Sequence, residues 1–131
     1  SRRDKFFIDD IDVLKGVSWF SEYSIENLSK EADLDLKSGS IDIDKVAGEF
    51  ESIVLKSAFA DIKADFDPSA SYKFEIRHVN SFVVLPPVNI KTDKETINET
   101  KEEYLITGEA GTGSSESRLM IDASRGNIRL N

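Results

Sequence analysis

The sequence predicts an all-β fold, a short β-solenoid of about six coils with a period near 21 residues. Three observations predict it. The stretches LDLKSGSIDI (34–43) and IVLKSAFADI (53–62) carry the same pattern: an alternating run, Lys-Ser, a small residue, a second alternating run. Small residues recur in phase, with Ser18, Gly39, Ala60 and Ser81 spaced 21 apart and Gly126 a further 45 on, two periods plus three. Apolar columns keep that phase on both sides of the small residue. Five positions before it stand Val13, Leu34, Leu55, Ile76 and Ile121; seven before, Ile11, Ala32, Ile53, Phe74 and Leu119. Two after it stand Phe20, Ile41, Ile62, Val83 and Ile128; four after, Glu22, Ile43, Ala64, Leu85 and Leu130, where only Glu22 is polar.

Alternation by two is a strand with one buried face. The small residue stands between two such strands, where a tight corner leaves little room for a side chain. Each repeat therefore reads as strand, corner, strand and a looser return. One repeat cannot bury its own apolar face, but stacked repeats can, each column becoming a ladder through a shared interior. The alternative all-β arrangement is a β-sandwich with evenly spaced strands.

Along the chain, the first copy carries SWFSEY (18–23), in which Phe20 falls in an apolar column and Trp19 alternates out of it, as a cap over exposed strand edges would. In SIENLSKEA (24–32), Ile25 and Leu28 fit a return segment. Asp33, Asp35, Asp42 and Asp44 alternate with Leu34, Leu36, Ile41 and Ile43 and so face water. Prolines 68, 86 and 87 fall at copy edges, where a ladder can spare an N–H. Residues 87–108 are Thr-, Glu- and Lys-rich and read as a degraded coil with a protruding loop, in which Ile97, Tyr104 and Ile106 keep the phase weakly. GEAGTGSSES (108–117) reads as a second loop. A rigid scaffold carries its function on such loops, so 89–117 is the expected contact surface.

The bulk composition agrees with one soluble repetitive domain over 1–131: 39% hydrophobic and 32% charged residues, with no apolar run long enough to span a bilayer. The start SRRDKFFIDDID lacks the apolar stretch of a signal peptide, and the chain reads as the C-terminal part of a longer exported protein. A net charge of −8 argues against nucleic acid as partner. The absence of cysteine from the sequence excludes disulfides and thiolate chemistry within it.

The corners SGSIDI, SAFADI and SRGNIRL, with DPSASYKFEIR (67–77) and the closing GNIRL, resemble a bacterial adhesin family of repetitive β-solenoid cell-envelope domains. The resemblance covers about residues 30–131. Ser81-Phe82-Val83 departs from its motif, lacking both the glycine and the polar residue that follows it. What the family implies is a repetitive β domain exported to the periplasm or the extracellular surface.

No constellation in the sequence amounts to a catalytic, cofactor-binding or metal site. His78 is the single histidine and has no second histidine or cysteine to work with, so a structural role is expected. DFDPSAS (65–71) imitates the start of a calcium loop but has Ala70 and Ile76 where an EF-hand needs glycine and glutamate, and reads as a turn. GEAGTGSS (108–115) has the glycines of a phosphate loop without its lysine. The 25 acidic residues supply carboxylate pairs by number alone. The expected function is non-enzymatic: adhesion or scaffolding through glycan, matrix or protein partners, without membrane insertion by this segment. The alternatives are a structural protein that assembles with itself through the solenoid ends, and a carbohydrate-active enzyme using paired carboxylates.

Overall fold

The computed structural model describes residues 4–19, 21–67, 70–85, 90–100, 102–111 and 117–130. They form eleven strands and no helix: β1 (Asp4–Ser18), β2 (Ser21–Leu36), β3 (Gly39–Val46), β4 (Ser52–Ala58), β5 (Ala60–Phe66), β6 (Tyr72–Val79), β7 (Phe82–Val84), β8 (Ile90–Asn98), β9 (Glu103–Ala110), β10 (Arg118–Ser124) and β11 (Asn127–Leu130). The all-β class is as expected. All eleven belong to one open sheet, curled into a half-barrel, rather than to the two sheets of a sandwich. Parallel ladders join the repeats within that sheet, which stays open, so the expected solenoid is not confirmed.

Each repeat crosses the sheet as a bent unit. A strand of the first arm runs to a tight corner and returns as a strand of the second arm. The first arm contains 13–18 of β1, 31–36 of β2, then β4, β10, β6, β9 and β8; the second contains 4–11 of β1, 21–28 of β2, then β3, β5, β11 and β7. The two inner faces meet and form the core.

The columns from Leu34 onward pair as the period predicts. Leu34, Leu55, Ile121 and Ile76 form one ladder, and Ala32, Ile53, Leu119 and Phe74 another. On the second arm Ile41, Ile62, Ile128 and Val83 are cross-strand neighbours. The first three of these, like all of the first-arm set, are at most 4% exposed. Each fully buried Leu or Ile contributes on the order of 1.5–3 kcal/mol relative to exposure.

Two expectations are corrected. The first copy is out of phase by three residues: Tyr23 pairs with Ile41 and Ile25 with Ile43, an offset of 18. Val13 pairs with Glu31, while Leu14 and Gly16 take the places beside Ala32 and Leu34 that were expected for Ile11 and Val13. Glu22 pairs with Ser40, so its polarity suits a position that faces outward. Phe20 lies outside the described residues, as do Pro68, Pro86, Pro87 and 112–116.

The second correction concerns 87–108. Its described residues are mostly strand: β8 and β9 form an antiparallel hairpin that extends the first arm beyond β6. The polar pattern reflects exposure, since β8 is the outermost strand and needs no alternation.

The stack order also differs from the chain order. Unit 118–130 lies between 52–66 and 72–84, with β10 paired to β4 and β6, and β11 paired to β5 and β7. Hydrogen bonds at the corners repeat this order, from Phe59 N to Ser124 O at 2.8 Å and from Arg125 N to Val79 O at 2.9 Å. In stack order the corner column reads Ser21, Gly39, Ala60, Gly126, Ser81, a glycine alternating with a residue that has a side chain. A Cβ on Gly39 would stand 1.8 Å from Ser21 O, and one on Gly126 1.8 Å from Ala60 O. Glycine is therefore required by the close approach of a neighbouring carbonyl, as well as by the φ of +122° at Gly39.

The bend opposite the corners is filled by aromatic rings. Phe66 stacks on Tyr72 at 4.4 Å, and Phe50 lies 5.6 Å from both. Burial pushes the Tyr72 hydroxyl up to about 12. The DFDPSAS segment turns here as expected, with Ala70 N donating to Asp67 O at 2.9 Å and Lys45 Nζ lying 3.8 Å from Asp67 Oδ2.

Candidate binding face

Outward residues of the second arm form two rows. One reads Glu22, Ser40, Asp61, Asn127, Phe82; the other reads Ser24, Asp42, Lys63, Arg129, Val84. Every position is polar in β2, β3, β5 and β11; the row through Ser24 begins on β1 with Phe7, 78% exposed, and both rows end apolar on β7. There Phe82 is 79% exposed and Val84 47%. The repeat supplies its own control: the same register position in four neighbouring strands carries a residue that suits water, and only β7 presents an aromatic ring to it. A bulky apolar side chain kept almost fully exposed at such a position points to contact with something outside the chain.

Phe82 stands between two open clefts. One, of about 540 Å³, runs back over the second arm past Val84, Arg129, Lys63, Asp61 and Asp42. The other, of about 320 Å³, lies at the step where the second arm ends and the first continues, and is lined by His78, Asn80, Ser81, Phe82, Glu102 and Tyr104. Asn80 and Glu102 are both held in the left-handed region, at φ of 51° and 53°, a conformation more costly for Glu than for Asn. A third cleft, about 530 Å³, lies on the first arm across β10, β6, β9 and β8 and is fringed by charges of both signs.

Four buried side-chain atoms have no hydrogen-bond partner among the described residues, and three of them lie at the Phe82 clefts: Asp42 Oδ1 and both ring nitrogens of His78. Buried polar atoms in folded proteins are nearly always satisfied, so this concentration matters more than the clefts' size. The fourth is Ser57 Oγ, on the first arm.

His78 takes the inward column after Ala123 and is 5% exposed, with its cross-strand neighbour Tyr104 tilted beside it at 5.5 Å. Lys94 Nζ sits 4.6 Å from the centre of the Tyr104 ring on its way past. Burial lowers the pKa of His78, the Lys94 charge lowers it further, and the Ser81 backbone opposes both without reaching hydrogen-bond geometry with a ring nitrogen. The imidazole is therefore neutral at physiological pH, able to offer one donor and one acceptor.

Lys63 and Arg129 are adjacent on β5 and β11, and neither forms an ion pair among the described residues. Asp61 Oδ1 accepts a hydrogen bond from Asn127 N at 3.0 Å, tying the two strands together on the outward side. The outward face thus offers an aromatic platform and two cations, with the unsatisfied Asp42 oxygen and the neutral His78 imidazole buried behind it. Such a mixture suits a polar ligand with hydroxyl groups and one apolar face.

The expected contact surface at 89–117 is only partly the one found. Glu102 and Tyr104 belong to the clefts, but they lie on a hairpin, and 112–116 are outside the described residues. Trp19 is 63% exposed at the first corner. Among the described residues no three His, Asp or Glu side chains come together to hold a metal ion, and no helix is long and apolar enough to cross a membrane. Comparison of the chain with family models, with curated proteins and with solved structures finds no match.

Proposed function

We propose that this chain is a non-catalytic binding domain of a bacterial cell envelope or surface, serving adhesion or scaffolding, and that it meets a glycan or protein partner at the face around Phe82. The observation that carries the reading is the coincidence of an exposed aromatic ring with three unsatisfied buried polar atoms in the two clefts beside it. A sugar ring fits this chemistry: its apolar face stacks on Phe82 while its hydroxyl oxygens accept hydrogen bonds from Lys63 and Arg129, and Asp42 and His78 gain partners where the ligand opens the clefts over them. The adhesin resemblance of the corners supports the envelope location.

The test is binding of the purified domain to a glycan array and to a panel of immobilised matrix proteins, with Phe82→Ser in parallel. Serine restores the polarity of the row, so melting should be nearly unchanged. Loss of one aromatic stacking contact should weaken binding about tenfold. A domain that binds nothing on either panel, or a variant that binds as well as the parent, contradicts the reading. Release of soluble product from a polysaccharide, abolished by changing one Asp or Glu, would replace it with the enzymatic alternative. Protease shaving of intact source cells checks the location.

A further inference from the structure

The two ends of the sheet are built differently, and the difference bears on what each end can join. This inference is independent of the Phe82 reading. Beyond β6 the first arm is closed off by the β8–β9 hairpin, whose outer strand carries Lys91, Asp93, Lys94 and Glu95, and the second arm stops at the three residues of β7. At the other end β1 runs for 15 residues and, among the described residues, pairs only with β2 and has no covering element.

β1 has residues from both arms. Its alternation is interrupted between Ile11 and Val13, where it passes from one arm to the other. Between the strand's two end residues, those that sit beside buried positions of β2 are Phe6, Ile8, Ile11, Leu14 and Gly16. They stand at −5, −3, 0, +3 and +5 from Ile11, and Ile11 is also the midpoint of Asp4–Ser18. A strand with unbroken alternation could pair with its own copy in many registers. This one, because of its interruption, matches an antiparallel copy of itself only about Ile11.

We propose that β1 is the interface of a two-fold symmetric dimer, in which β1 of each copy pairs antiparallel with β1 of the other about Ile11. In that register Phe6 faces Gly16 of the second copy, Ile8 faces Leu14, and Ile11 faces Ile11. The large residue meets the one without a side chain, and the half-buried Ile8, Ile11 and Leu14 complete a core that is continuous between the copies. The first arm of one copy continues as the second arm of the other, with the bends coincident. The second copy's β1 is the partner because neither other free edge has the shape: β8 is confined to one arm and β7 is three residues long. A two-fold contact of this kind closes on itself and gives a dimer, not a filament. Its unfavourable element is the approach of Asp10 to Asp12 of the second copy, occurring twice; added salt should screen it and tighten the dimer.

The chain has no cysteine, so a single introduced one reports on this geometry alone. Ile11→Cys places two thiols at directly opposed positions, with Cα atoms about 4.5–5.5 Å apart, inside disulfide range. Val17→Cys is the control, since Val17 would face Lys5 and lie far from its own copy. Sedimentation equilibrium in the micromolar range should show a reversible dimer, and mild oxidation should link Ile11→Cys and leave Val17→Cys unlinked. Asp12→Lys, at an exposed position, turns two repulsive approaches into attractive ones and should tighten the dimer roughly tenfold. This variant decides the matter if Ile11→Cys fails to fold by circular dichroism. A chain that stays monomeric throughout, a dimer that links through Val17→Cys and not Ile11→Cys, or an Asp12→Lys variant no tighter than the parent overturns the proposal.

Discussion

Unit 118–130 and strand β1 are both passages of chain across the two arms of the same sheet, and both carry alternating apolar residues. Their surroundings differ. Leu119, Ile121 and Ile128 are at most 3% exposed, because a neighbouring strand covers each on both sides. In β1, Phe6 is 42% exposed, and Ile8, Ile11 and Leu14 are half-buried. The apolar content of the two passages is similar, so place in the stack decides how much a residue contributes. The last unit of the sequence is also the connection on which others depend: β6 with its hairpin, and β7, reach the rest of the sheet only through β10 and β11.

The comparison breaks most sharply at matched substitutions. Ile121→Asp would put an unpaired charge between Leu55 and Ile76 and should cost several kcal/mol, enough to abolish cooperative melting in a domain of ordinary stability. Ile11→Asp, measured at concentrations where the chain is monomeric and water lies on its open side, should cost no more than about 1–2 kcal/mol. Equal losses would mean that the two passages are equally enclosed.

Glycine gives a second pair. Gly126→Ala drives a Cβ into Ala60 O and should destabilise by about 1–3 kcal/mol. Gly16→Ala in β1 meets nothing nearer within its own chain than Leu34 Cδ2 at 3.9 Å, and in the monomer should be neutral or stabilise by up to about 1 kcal/mol through a stiffer unfolded chain. Thermal melts of the two variants, moving in opposite directions or one not at all, sharpen the contrast.

The smallest expected effect is on pH dependence, at the hairpin end. His78 in the fold titrates below its ordinary 6.5, because burial and Lys94 disfavour the imidazolium. As pH falls through 6.5 the unfolded chain takes the proton first, so stability is fully present above that pH and declines below it, until the lowered folded value is reached. The slope from one group is at most about 1.4 kcal/mol per pH unit. His78→Phe should flatten urea midpoints between about pH 6.5 and pH 5, above the range where carboxylates titrate. An unchanged slope would mean that His78 is hydrated in the native state.

Much of this was legible in the sequence. Fixed apolar columns specify parallel register, because a slip by one residue would turn every buried side chain outward. That is why Leu34, Leu55, Ile76 and Ile121 share one ladder as read. Their order could not be read, since each rung offers Leu or Ile to whichever unit comes next. The corner column held the one hint, in that only the order 52–66, 118–130, 72–84 sets Gly126 between Ala60 and Ser81. Glu22 signalled the mis-phased first copy: Ser21, buried and paired with Gly39, is the true corner mate, and Ser18 mimicked it three residues early. The hairpin was missed because an outermost strand buries little on either face. Of the candidate face, the departure at Phe82 was visible as a broken motif. That β7 ends its arm, and so sets Phe82 beside two clefts, depends on topology that no spacing reveals.

The central claim is the placement of the last unit, and amide proximities in a ¹⁵N-edited NOESY spectrum test it directly. The structure predicts cross-strand contacts from Asp122 to both Lys56 and Arg77, with none between Lys56 and Arg77. Direct contacts between Lys56 and Arg77, with Asp122 seeing only Arg77, would return the units to chain order and contradict the account.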